Sequence, residues 1–167
     1  VTRVRERRSN LGLTVSATTR APRKGEVDGV NYFFLTREEF DRRVANGEFV
    51  EWAEVHGNCY GTLVSEVTSK LASGASLILE IDVQGALQVK ERFPEAVLIF
   101  IKPPSLEVLR ERLVGRGTET PETIELRMAN AADELALADR YDDVVVNDDL
   151  DRATDELVRV LDMHERI

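Results

Sequence analysis

Three short apolar runs, separated by helix-length amphipathic stretches, constrain this 167-residue chain more than any other feature. Ser76 to Ile81 (SLILEI), Ala96 to Ile101 (AVLIFI) and Asp143 to Val146 (DVVV) are each bounded by loops. Runs of this length and composition read as strands buried on both faces. Helical patterns lie around them at Val83 to Phe93, Ser105 to Val114, Pro121 to Arg140 and Asp151 to Arg166. Strands alternating with helices of this length imply right-handed βαβ crossovers and a parallel sheet. The fold class is α/β.

The first half is less regular. Val1 to Arg8 reads as the end of a helix, Leu13 to Ser16 as a short strand, and Ala21 to Val30 as loop. Asn31 to Leu35 is extended and aromatic. Thr36 caps a helix, Glu39 completes a capping box, and Asn46-Gly47 stops it. Glu48 to Val55 suits a strand with both faces occupied. No repeat, low-complexity tract or linker interrupts the chain, so it reads as one continuous domain of ordinary size.

Composition narrows the partners. A net charge of −9 argues against a surface given over to nucleic acid. No apolar run approaches the ~18 residues that cross a bilayer, and no leader precedes the first element. The expectation is a cytoplasmic protein with no membrane or nucleic-acid partner. A lone Cys59 agrees with a reducing compartment. The bases are skewed, 18 Arg against 4 Lys. Codon composition explains such a skew, and so does phosphate binding by planar guanidinium forks. Only the positions of particular arginines separate the two.

Four polar segments offer such positions. In TVSATTRAPRKGEVDGVNY, Arg20 and Arg23 flank Pro22 and can clamp a dianionic phosphate, with Tyr32 donating a further bond. In EWAEVHGNCYGT, Glu51 can accept from the N1–H and N2 amine of guanine, a pair adenine lacks. Thr62 can donate to guanine O6. In LEIDVQG, Asp82 stands at the carboxyl end of a strand, where open α/β sheets bind ligands, and also where a helix N-cap belongs. In RLVGRGTETPETIELR, Arg116 sits between two glycines in what reads as a mobile loop, with Arg112 and Arg127 near it. Taken singly, each segment also reads as surface arginines, a solvated edge carboxylate, a cap or an exposed loop. His56 has no metal-ligand spacing, His164 reads as solvated, and Cys59 as a plain loop residue.

Taken together and in chain order, VSATTRAPRKGEVDGVNY, GEFVEWAEVHGNCYGT, LEIDVQG, IFIKPPSLEVLRERLVGRGTET and VVVNDDLDRA resemble guanylate kinase over essentially the whole chain. The resemblance implies a P-loop kinase-like parallel sheet flanked by helices, with a small mixed GMP-binding insertion and a helical lid. It implies one domain over residues 1–167, with the insertion at about 16–75 and the lid at about 112–130. Ser16, Glu51, Thr62 and Asp82 are then expected at the guanine site, and Arg20, Arg23, Tyr32 and Tyr60 at the GMP phosphate. Arg112, Arg116 and Arg127 are expected on the donor phosphates, and Asn147 near the ATP base. ATP with Mg²⁺ is the implied donor.

The family begins with an apolar strand and a GxxxxGK[ST] phosphate loop, and neither occurs here. VTRVRERR resembles the tail of the helix that follows that loop. The expectation is that the parent protein supplies it, and that these 167 residues alone do not turn over. Two other readings use the same motifs. One is a non-catalytic guanylate-kinase-like module that binds phosphopeptides, against which the retained arginines of the GRGTET segment speak. The other is a nucleoside-monophosphate kinase for another base, against which Glu51 and Thr62 speak.

Overall fold

A computed structural model describes residues 1–165. The chain forms two compact units, residues 5–96 and residues 1–4 with 97–167. Helix α1 (Thr2–Arg7) crosses the first boundary.

The 5–96 unit continues through β1 (Leu11–Leu13), β2 (Ala17–Thr18), β3 (Phe33–Phe34), α2 (Arg37–Ala45), β4 (Phe49–Val55), β5 (Asn58–Leu63), α3 (Val64–Ala72), β6 (Ser76–Ile78) and α4 (Val83–Arg92). Strands β1 and β6 pair in parallel. A mixed sheet runs β3-β2-β5-β4, parallel between β2 and β3 and antiparallel elsewhere. Its long hairpin, β4 to β5, turns on His56 and Gly57, both with positive φ. A two-residue loop of that handedness matches the right-handed strand twist. Helix α2 starts as expected: Thr36 Oγ1 accepts from Glu39 N at 3.1 Å. The capping box is only half built, because the Glu39 carboxylate turns forward to Arg42 and Arg43. On one face of the mixed sheet, Ala17, Phe40, Phe49, Cys59 and Leu63 form a core. Cys59 is thus a fully buried strand residue rather than a loop residue, and burial pushes its thiol up.

The other unit holds β7 (Ile99–Lys102), α5 (Leu106–Arg116), α6 (Pro121–Ala136), a 3₁₀ turn (Ala138–Arg140), β8 (Asp143–Val146) and α7 (Leu150–Glu165). Strands β7 and β8 are parallel neighbours, with α5 and α6 in the crossover between them. Val145, Ala153 and Val160 make the core beneath α7. His164 is not simply solvated: its Nε2 lies 2.6 Å from Asp143 Oδ2.

The architecture is α/β, with parallel strand pairs flanked by helices. Several element bounds differ from expectation. The first strand ends at Leu13 rather than Ser16, SLILEI is extended only over Ser76–Ile78, and AVLIFI only from Ile99. These strands are only partly buried, and Ile101 is 49% exposed. Pro121 to Arg140 divides into a helix and a 3₁₀ turn. Arg166 lies outside the described residues.

Candidate active site

Strand β5 divides its side chains by the two-residue period of a strand. Cys59 and Leu63 enter the core, which leaves Tyr60 and Thr62 on the other face. Opposite Thr62 stands Glu51, and Thr62 Oγ1 donates to Glu51 Oε1 at 2.8 Å. Glu51 is 5% exposed and Thr62 is fully buried. Burial raises the Glu51 pKa, the nearby Asp82 charge adds to the rise, and hydrogen bonding from Thr62 opposes it. Among the described residues no cation pairs with Glu51. A carboxylate taken out of water with only Thr62 to hydrogen-bond it is expensive, and it is primed to accept from a ligand that brings N–H groups. Asp82 is exposed and caps α4, its Oδ1 accepting from Gly85 N at 2.8 Å. Ser16 is half-buried at the entry to β2, and its carbonyl accepts from Phe33 N at 2.9 Å. Among the described residues no hydrogen bond joins its hydroxyl to Glu51 or Thr62.

Two residues along β5 from Thr62, about 7 Å at strand rise, Tyr60 begins a second cluster on the same face. Tyr32 lies edge-on to Tyr60 with ring centroids 6.2 Å apart, and the Arg20 guanidinium sits 5.2 Å from the Tyr32 centroid. Both arms of Arg20 are held by Glu26, at 2.9 and 3.0 Å. Glu26 Oε1 also accepts from Arg23 N at 2.6 Å. Those bonds push the Arg20 pKa further up and the Glu26 pKa down. Arg23 is exposed, and no carboxylate pairs with its guanidinium among the described residues.

The remaining candidates lie in the other compact unit. Arg116 is the last residue of α5, not part of a Gly-flanked loop. Gly115 is tolerated inside the helix, and only Gly117, with φ of 64°, breaks it, as a left-handed helix end requires. Thr120 then caps α6, with Pro121 in its first turn. Arg127 Nε faces Glu119 Oε2 at 3.0 Å, an ion pair set off-line for a hydrogen bond, with the Glu119 oxygen buried and the Arg127 side chain exposed. Arg112 Nη2 reaches the Asp148 carbonyl at 3.5 Å, beside Asn147 at the end of β8.

A family model for guanylate kinase matches residues 4–164. The chain belongs to the guanylate kinase family. It is 57% identical to the guanylate kinase of Gloeobacter violaceus over 158 residues, 95% of this chain and 77% of that protein. It is 53% identical to the guanylate kinase of Halalkalibacterium halodurans, over 95% of this chain and 78% of that one. A crystal structure of guanylate kinase from Anaplasma phagocytophilum superposes with a TM-score of 0.76 at 39% identity, covering 97% of this chain and 78% of that one. Guanylate kinases are nucleoside-monophosphate kinases that move a phosphoryl group from ATP to GMP.

Three residues that hold the guanylate kinase candidates in place escaped the sequence reading. Glu26 grips Arg20, Glu119 faces Arg127, and Gly85 adjoins Glu51. A glycine inside a helical pattern is tolerated at some cost, and no spacing along the chain links Gly85 to Glu51. Glu26 and Glu119 read as ordinary loop acids until the arginines are placed.

Proposed function

We propose that this guanylate kinase binds GMP along the polar face of β4 and β5 and accepts a phosphoryl group from ATP there. The observation that supports it is the buried Glu51–Thr62 pair, a base-reading acceptor and hydroxyl about 7 Å along the strand from the Arg20–Tyr32–Tyr60 cluster. Glu51 reads guanine N1–H and the N2 amine, Thr62 turns its hydroxyl from Glu51 to O6, and Ser16 and Asp82 border the base. Arg20, Arg23, Tyr32 and Tyr60 hold the GMP phosphate. Arg112, Arg116 and Arg127 neutralise the donor phosphates, and Asn147 adjoins the ATP base. No general base is needed, because the acceptor phosphate is already a nucleophile, so alignment and charge neutralisation carry the rate.

Mg²⁺ fits this reading as a companion of ATP. Among the described residues no cluster of three or more acidic, His or Cys side chains could cage a metal. Mg²⁺ instead keeps its waters and would bind chiefly through the nucleotide phosphates. When bound it would screen charge on the transferring phosphates. We place the enzyme in the cytoplasm, free of membrane and nucleic acid. No described helix is long and apolar enough to cross a membrane.

Calorimetric titration of the protein with GMP, AMP, UMP and a phosphoserine peptide tests the acceptor assignment. GMP is expected to bind at least tenfold more tightly than the others, and Glu51→Ala to remove that margin. Equal affinity for AMP, or tighter binding of the peptide, would overturn it.

A further inference from the structure

We infer that Gly85 is a specificity-determining position, because its missing side chain leaves the space in which the Glu51 carboxylate reads guanine. The inference rests on Glu51 reading the base, as proposed above.

Gly85 is the third residue of α4, and its N–H serves the Asp82 cap, a bond any amino acid could make there. Its φ is not among the positive values of the chain, so backbone geometry does not demand glycine. Inside a helix, glycine is less stabilising than alanine. Space is what remains as a reason. A Cβ at this position would stand 2.7 Å from Glu51 Oε2, 3.2 Å from its Cδ and 3.1 Å from Asp82 Oδ1. Van der Waals contact forbids the first of these outright.

Neither backbone is free to retreat. Helix α4 is tied to β4 on the same face as Gly85. Gln88 exchanges two hydrogen bonds of 3.1 Å with the Trp52 backbone, and Arg92 Nη1 donates to Phe49 O at 2.8 Å. Residues 85, 88 and 92 recur at helical spacing, so one stripe of α4 fastens the edge of β4. Glu51 is held in turn by its pairing with Thr62. The element able to yield is the Glu51 carboxylate. Its displaced oxygen is Oε2, not the oxygen that accepts from the Thr62 hydroxyl. A flexible side-chain end moves at little cost to the fold, but a moved carboxylate no longer meets two N–H groups at once. Alanine at position 85 therefore preserves the protein and blunts the recognition.

Inosine monophosphate provides the probe, since it keeps N1–H and O6 but lacks the N2 amine. GMP and inosine monophosphate are titrated calorimetrically into wild type, Gly85→Ala, Glu51→Gln and the double variant Gly85→Ala/Glu51→Asp, alongside thermal melts. Gly85→Ala is expected to weaken GMP about tenfold, to shrink the GMP-over-inosine preference toward one, and to melt no lower than wild type. Shortening the acid by one methylene in the double variant is expected to restore part of that preference. If Glu51→Gln keeps the preference, the base-reading role of Glu51 fails and this inference with it. If Glu51→Gln loses it but Gly85→Ala keeps it, only the Gly85 inference fails. A Gly85→Ala protein that melts well below wild type also overturns it, because glycine would then serve the fold.

Discussion

Glu51 holds a carboxylate out of water with hydrogen bonding from Thr62 and, among the described residues, no paired cation, so its ionisation opposes folding. Its pKa in the folded protein lies above that of the unfolded chain. The folded state therefore binds this proton more tightly, and the contribution to stability is fullest below the unfolded pKa. It is lost as pH rises through the folded value, and above that the cost is constant. Glu51→Gln removes the charge but keeps an acceptor for Thr62. At a pH above the folded value we expect the variant to melt above wild type, checked by thermal melts across pH. The same titration governs binding: a protonated Glu51 cannot accept from both guanine N–H groups. GMP affinity should fall as the pH drops toward the raised Glu51 pKa, a step read as the difference between the wild-type and Glu51→Gln calorimetric pH profiles. Taking that difference cancels the ionisation of the GMP phosphate. Identical profiles for the two proteins would exclude Glu51 as the titrating group.

Helix α2 shows how one element serves the site from behind. Its Phe40 is fully buried and stacks on Phe49 with centroids 4.4 Å apart, against the face of the sheet opposite Glu51 and Thr62. Gly61 lets that ring lie close, since a Cβ there would come within 2.7 Å of Phe49 Cδ1. Phe40→Ala empties a packed core and is expected to cost about 3–5 kcal/mol. Thr36→Ala removes only the cap of the same helix and is expected to cost about 1 kcal/mol. Urea unfolding of the two variants checks the order, and equal losses would mean that α2 is held by its cap rather than its core.

Across the molecule, the arginine surplus resolves into paired and unpaired groups. Arg37, Arg42, Arg43, Arg110 and Arg152 each meet carboxylates at the surface, where such pairs contribute little. Of the five candidate arginines, Arg20 and Arg127 face an acid, while the guanidinium groups of Arg23, Arg112 and Arg116 pair with none among the described residues. Guanidinium groups held ready without an acid are suited to phosphate. Arg116→Ala is accordingly expected to lower turnover of the intact enzyme about a hundredfold or more while changing GMP affinity less than twofold. A coupled assay for ADP release and calorimetry check the two quantities, and the reverse pattern would move Arg116 out of the donor role.

Local chemistry determined much of this protein from sequence alone. The Thr36 cap, the Pro121 helix start and the β8 run follow from short-range hydrogen bonding and periodicity, and each stands where the sequence puts it. The five motifs that resemble guanylate kinase likewise sit in linear order. Tertiary structure decided what depends on distance through space. SLILEI and AVLIFI are extended over only part of their length, because strand length is set by partners rather than by apolarity. Gly-Arg-Gly became the end of a helix, since one left-handed glycine suffices to stop it. The partners of the candidate residues, Glu26 for Arg20 and Gly85 for Glu51, were invisible for the same reason. A charge or a gap acquires meaning only when another segment is folded against it, and no spacing along the chain records that encounter.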